Sequence, residues 1–206
     1  MAITYPIAFP TVRGVMSLNW RAMRVDALSQ SGFTLAQQVV RHAGQRWEAD
    51  VTMPPLERAE AAQFDGFLLK LDGRKGTFTF TPPDAALPRG AIGGTPVVDG
   101  ASQTGAELAI RGATTSVTGW LLAGDFIQLG SASTTRLHKV VSDANTDGSG
   151  NVTLDIWPNL RSSPADGATV IVSGASGLFR LASPTASYQV EHPGIYGHAF
   201  SMIEAL

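Results

Sequence analysis

A single segment of this chain, from Leu56 to Leu71, carries apolar residues at helical spacing, and this scarcity of helix constrains the fold more than any other feature. Its apolar side chains recur with a period of about 3.6 residues. Elsewhere the chain consists of short, partly alternating stretches bounded by Gly, Pro, Asn and Asp, which is typical of β-strands. The sequence therefore predicts a mainly β fold with one α-helix.

Composition divides the chain into three zones. The first, up to about Pro88, holds most of the aromatic and long charged side chains, and strands are predicted at 14–20, 32–39, 45–53 and 77–81. The third zone, 178–206, is again rich in aromatic residues and predicts strands at 188–191 and 195–203. An apolar tail of this kind needs a core to join, and the first zone offers the matching one.

The second zone, from about Gly90 to Ser176, changes to Gly, Ala, Ser, Thr and Val. The glycines and prolines of 93–96 and 99–100 predict a linker. Short strands are predicted after it at 107–111, 125–129, 135–141, 151–156 and 168–172, a spacing typical of a small OB-like or SH3-like barrel. The sequence therefore predicts a discontinuous hub domain, 1–95 plus 178–206, interrupted by an inserted barrel domain, 101–176.

Charge and cysteine content exclude several classes of protein. Charged residues make up 16% of the chain, against about 25% in an ordinary soluble domain, and the net charge is −2. No basic segment is strong enough to predict nucleic-acid binding. The chain has no cysteine, so disulfides are excluded. No apolar run approaches the roughly 20 residues of a membrane-spanning helix, and the N-terminus lacks a secretory signal, so folding in a cytoplasm without membrane insertion is expected.

Motifs for catalysis, cofactors and metals are weak. The loop 145–151 has the Asp, Asn and Gly content of a calcium loop, but the twelfth residue counted from Asp143 is Leu154 where an EF-hand needs Glu. The four histidines show no metal-ligand spacing. We therefore expect no catalytic residues, no cofactor and no metal, and the chain is predicted not to be an enzyme.

Two tryptophans of the barrel zone, Trp120 and Trp157, are the candidates for ligand contact. An exposed tryptophan stacks on sugar rings, which would make the inserted barrel a carbohydrate-binding module. A buried tryptophan only fills a small core. The sequence leaves both interpretations open.

The order of the predicted elements resembles that of the distal tail proteins of long-tailed, noncontractile (siphovirus-type) bacteriophages. The resemblance rests on the strand 45–53, on Pro54-Pro55-Leu56, on the helix from Glu57, on the turn 72–76, and on the strands 77–81, 187–191 and 195–203. The segment 121–129 looks like the start of the small accessory barrel of that family. The resemblance implies a split β-barrel hub with one helix.

The same resemblance implies a structural function. A protein of this family forms a ring, hexameric by analogy, at the distal end of the tail tube, and connects the tube protein to the hub and tip proteins of the host-recognition apparatus. It would be made in the host bacterial cytoplasm and reside in the virion tail. The alternative is a lectin-like receptor-recognition protein of a virion that binds a host-surface glycan through Trp120 or Trp157; an enzyme ranks third.

Overall fold

The computed structural model describes residues 3–185, 187–191 and 194–206. In these ranges the chain is mainly β, with one α-helix, as the sequence predicts. None of the described helices is long and apolar enough to cross a membrane. The elements in chain order are β1 (Ile7–Ala8), β2 (Ser17–Gln30), β3 (Gln37–Thr52), α1 (Arg58–Lys70), β4 (Phe78–Phe80), β5 (Gly94–Val98), β6 (Gly105–Ala113), β7 (Phe126–Leu129), β8 (Arg136–Val140), β9 (Val152–Leu160), β10 (Val170–Ile171), β11 (Gly177–Leu181), β12 (Tyr188–Glu191) and β13 (Ile195–Glu204).

The first sheet joins the two ends of the chain. Its strand order is β1-β4-β11-β13-β3-β2, with β12 paired to β13. Strand β13 lies between β11 and β3, so the C-terminal strands pair with N-terminal strands, as the sequence predicts. The helix packs Phe64, Phe67 and Leu68 into the core of this sheet, where Phe9 contacts several aromatic rings edge-on.

Local interactions fix both ends of α1. The backbone N–H of Glu57 donates to the Glu60 carboxylate over 3.1 Å, and this hydrogen bond is the main reason that the pKa of Glu60 lies below its usual value. At the other end, Asp72 and Gly73 have left-handed backbones, with φ of 50° and 66°. The amide of Gly76 then donates to the Leu71 carbonyl, which ends the helix in a tight turn.

The second sheet forms a small, nearly closed barrel of six antiparallel strands in the order β10-β7-β8-β9-β6-β5. Its edge strands meet where Val97 bridges Thr169 and the Val98 amide donates to the Ala168 carbonyl over 2.9 Å. The prediction of a linker at 93–96 is wrong, because β5 begins at Gly94 and pairs with β6. Gly and Pro there belong to a bulged strand of the second sheet.

An ion pair with a buried carboxylate connects the two sheets. Glu204, at the end of β13, is 3% exposed, and Arg161 just after β9 donates to both of its carboxylate oxygens over 2.7 and 2.8 Å. The same carboxylate accepts the backbone N–H of Trp47 on β3 over 3.0 Å. Both carboxylate oxygens thus accept hydrogen bonds, and such donors are the condition under which a buried carboxylate is tolerated.

Apolar packing strengthens the same junction. The Trp47 ring meets Trp157 of the barrel edge-on, with centroids 4.4 Å apart, and its indole N–H donates to the Leu137 carbonyl over 3.0 Å. Phe126 and Leu137 of the barrel strands belong to the core of the first sheet. The barrel thus shares a core with the hub. The domain division at 1–95, 101–176 and 178–206 stays a prediction.

We expect Glu204→Gln to lower the free energy of unfolding by about 2 kcal/mol, because the Arg161 guanidinium and the Trp47 amide lose a charged acceptor. Urea unfolding followed by tryptophan fluorescence measures this loss. Glu107→Gln, an exposed residue of β6, is the matched control and is expected to change stability by less than about 0.5 kcal/mol. Equal effects of the two substitutions would contradict a structural role for the ion pair.

Burial of His138 makes the stability of the fold depend on pH. His138 is 3% exposed, and burial lowers its pKa from 6.5 to about 4. Below pH 6.5 the unfolded chain binds a proton that the folded protein does not, so stability is complete above that pH and falls by about 3 kcal/mol on the way to pH 4. His138→Asn is expected to flatten this part of the profile, whereas His42→Asn, at an exposed position, leaves it unchanged. An unaltered slope in His138→Asn would contradict the assignment.

Candidate functional site

Strands β2 and β3 extend beyond the first sheet as a hairpin, here called the arm, which runs from Arg21 to Gly44. Every residue of the arm is exposed except the half-buried Ser31. Trp20 and Trp47 at its base belong to the core, but no residue between Arg21 and Gly44 does. Ten residues of β2 at roughly 3.3 Å each carry the arm about 30 Å from the body.

The arm is apolar as well as exposed. Phe33 is fully exposed and Leu35 is 68% exposed, both at the tip. Nearly half of the exposed large hydrophobic side chains in the described part of the chain lie on this hairpin, namely Met23, Val25, Leu28, Phe33, Leu35, Val39 and Val40. Single exposed apolar residues are ordinary, whereas a concentration of this kind marks an interaction surface.

Apolar residues occupy both faces of the arm. Leu28 lies opposite Val39 in the register, and their neighbours Ala27 and Val40 lie opposite one another. Residues opposite one another share a face and successive residues alternate between faces, so the two pairs lie on different sides. A hairpin of this pattern suits burial on both sides.

The tip is held in one conformation by Ser31. Its backbone N–H donates to the Ala36 carbonyl over 2.9 Å, and its carbonyl accepts the N–H of Leu35 over 3.1 Å. Its hydroxyl accepts the amides of Phe33 and Thr34, each over 3.3 Å. These bonds fix the loop that presents Phe33, so little conformational entropy is lost when the tip binds.

A bulge and an ion pair set the direction of the arm. The register shifts between Arg24 and Asp26, and a Cβ on Gly44 would lie 2.8 Å from the Val25 side chain. At the base, Arg21 and the Ser201 hydroxyl donate to the Asp50 carboxylate, and these bonds keep the pKa of Asp50 below its usual value. The bulge adds local twist, and the polar contacts join the arm's base to the sheet.

The two tryptophans proposed for ligand stacking lie in cores. Trp120 is completely buried, and its indole N–H donates to the Gly93 carbonyl over 3.2 Å. Trp157 is half-buried and packs on Trp47. A sugar ring could stack on Trp120 only if the barrel core opened, so the structure favours the core-filling interpretation of Trp120, whereas ligand contact at Trp157 stays a prediction.

The side-chain oxygen atoms of the loop 145–151 accept hydrogen bonds from backbone amides. One Asp147 carboxylate oxygen accepts the amides of Ser149 and Asn151, each over 2.8 Å, and these bonds lower the pKa of Asp147. The Asn145 side-chain oxygen accepts the Gly119 amide. Among the described residues no group of three or more His, Cys, Asp or Glu side chains is arranged to hold a metal.

The histidines are dispersed. His42 lies on the arm, His138 inside the barrel, and His198 beside Asp65 of the helix, with His198 Nε2 2.7 Å from a carboxylate oxygen. His192 lies outside the described residues. The three described histidines therefore lie in three separate parts of the fold. The predicted absence of a metal site and of catalysis stays a prediction.

The arm itself escaped prediction from sequence. The strands at 14–20, 32–39 and 45–53 were expected as separate short elements, whereas the structure joins them into two long strands. Residues 23–27 alternate between apolar and charged side chains, but Leu28 follows Ala27 directly and ends the pattern after five residues. This short alternation, together with the number of apolar residues in a stretch that carries Arg21, Arg24 and Arg41, was the available signal.

No protein-family model matches the chain, and no curated protein matches it significantly. The case for function therefore depends on the residues described above.

We expect neither added Ca²⁺ nor EDTA to change the melting temperature, because amides already occupy the Asp147 oxygens. Thermal unfolding in millimolar CaCl₂ and in EDTA measures this. Asp147→Ala should lower the melting temperature, since two amides lose their acceptor, and it should do so equally in both buffers. A calcium-dependent shift in the wild type that Asp147→Ala abolishes would reinstate the calcium site.

Proposed function

We propose that this protein is a structural component of a bacteriophage tail that forms a ring of identical subunits at the distal end of the tail tube. The observation that carries the proposal is the arm, a rigid-tipped hairpin with apolar residues on both faces and no packing partner in its own core. The order of elements in the chain, which resembles that of distal tail proteins, supports the same function.

The position of β2 in the sheet supports self-association. This strand is the last in the order of the first sheet and is 14 residues long. A long exposed edge carries unpaired backbone donors and acceptors and is a template for pairing with another chain. A head-to-tail ring uses each such edge once and then closes, which satisfies the edge without open-ended growth.

The low content of charged residues is consistent with a ring in which neighbouring subunits cover the sides of each subunit. Only 16% of the residues are charged, and the cores of protein interfaces are depleted of charge. The arm provides one side of the contact, and the receiving surface belongs to the next subunit. In the proposed tail the remaining faces of the ring contact the tube protein and the hub and tip proteins, and the protein resides in the virion.

We expect the purified protein to form rings, with six subunits by analogy, in light scattering and negative-stain images. The double variant Leu28→Asp, Phe33→Asp should weaken assembly at least 100-fold, because each buried side chain contributes about 1.5 to 3 kcal/mol and a carboxylate is costly to bury. The melting temperature of the unassembled double variant should stay close to that of unassembled wild type, since the arm adds nothing to the core.

Leu87→Asp is the matched control, because Leu87 is 76% exposed and lies outside the arm. It is expected to assemble as the wild type does. Assembly of the double variant at wild-type strength would remove the arm from the interface. An image of a particle that contains this protein as a single copy, or outside any ring, would overturn the proposed function.

A further inference from the structure

A cavity of about 220 Å³ lies on the barrel beside its junction with the hub. Its wall combines apolar side chains, among them Leu129 and Leu160, with two arginines, Arg136 and Arg161. Of the residues weighed from sequence only His138 is in its lining, and no residue of the arm is. The charge of its wall makes it different from an ordinary gap in packing.

The two arginines share one carboxylate. Arg161 is paired with Glu204 through two hydrogen bonds. Arg136 is half-buried, and its one hydrogen bond among the described residues goes to the Thr135 carbonyl; no described carboxylate lies within 4.0 Å of it. Two guanidinium groups and one carboxylate leave a net charge of +1 at the cavity. Burial lowers the pKa of Arg136, which reflects the cost of holding this charge away from water, and the charge of Glu204 offsets only part of that cost.

The rest of the lining is suited to hydroxyl groups. Thr134, Ser162 and Ser163 line the wall. The Thr134 hydroxyl donates to the Ser131 carbonyl over 2.8 Å and the Ser163 hydroxyl to the Pro164 carbonyl over 3.2 Å, so these two oxygens offer acceptor lone pairs. The buried His138 also lines the cavity, and its Nδ1 lies 2.6 Å from the Pro158 carbonyl, so Nδ1 carries the proton and Nε2 is the acceptor of the neutral ring. Such a wall offers both donors and acceptors to a ligand that has hydroxyls of its own.

We propose that this cavity binds an acidic sugar, with the carboxylate of the sugar on the Arg136 guanidinium and its hydroxyls on the serine, threonine and histidine side chains. A planar guanidinium with free donors binds a carboxylate through two parallel hydrogen bonds. A carboxylate supplies the single negative charge that the cavity lacks, whereas a phosphate carries about 1.5 to 2 charges. The volume lies below the roughly 300 to 1,000 Å³ of drug-sized sites, which restricts the occupant to about one sugar ring.

The proposal does not depend on the ring. It places a glycan contact on the inserted barrel, but at Arg136 and away from Trp120 and Trp157. It can therefore hold if the protein assembles in some other way, and ring formation can hold without it.

The test uses the full chain with glucuronate as the probe, and with glucose, acetate and inorganic phosphate as comparisons. Saturation-transfer NMR and titration calorimetry are expected to show glucuronate binding about tenfold or more tighter than glucose or acetate. Arg136→Met should weaken glucuronate binding at least about tenfold, and Arg136→Lys should bind with intermediate strength because it keeps the charge but loses the planar fork. Arg58→Met, an exposed residue of α1, is the control and should bind as wild type.

Each other outcome overturns the proposal. Equal binding of acetate and glucuronate would show a site for carboxylate alone, such as an acidic side chain of a protein partner. Tighter binding of phosphate would assign a different anion, and no binding of glucuronate would leave the cavity without this ligand. Arg136→Met is uninformative if it melts more than a few degrees below the wild type. In that case Arg136→Lys, at a wild-type melting temperature, decides the assignment: glucuronate binding as tight as in the wild type would overturn the proposal.

Discussion

The buried Glu204 carboxylate is the contact on which the rest of the structure depends. It lies at the end of the last strand, accepts a backbone amide of β3, and holds the guanidinium of Arg161 just after β9. One side chain thus ties the C-terminus, the base of the arm and the inserted barrel together. Because the carboxylate is buried, it requires these donors, and its desolvation favours the single arrangement that supplies them.

Apolar side chains are packed in the body but exposed on the arm. In the body, aromatic rings such as Trp47 and Phe9 pack edge to face, and the barrel edges meet at Val97 and Thr169. On the arm, Phe33 and Leu28 remain in solvent although the tip that carries Phe33 is held by four hydrogen bonds to Ser31. A segment that is ordered but unburied is suited to contacts with another molecule, which is why we propose that the arm mediates assembly.

Sequence predicts those parts of the fold that local pattern determines. The helix from Leu56 to Leu71 and the barrel strands follow from periodicity and turn residues, and both are confirmed. The arm and β5 were missed because their local pattern is weak: the alternation of residues 23–27 ends at Leu28, and Gly94 to Pro96 have the composition of a loop. Arg136 has no local signal either, since its charge becomes significant only when folding brings Arg161 and Glu204 beside it.

The shared core holds the cavity in a fixed position relative to the arm. Arg161 lines the cavity and is bound to Glu204 of the hub, and Trp157 beside it packs on Trp47, so the cavity is fixed to the sheet that carries the arm. In a ring of identical subunits every cavity would then point in an equivalent direction. A single small sugar offers few contacts, so one site binds weakly. Several sites held in fixed geometry raise the effective concentration for each further contact by orders of magnitude, so a surface rich in acidic sugars could be held by individually weak sites.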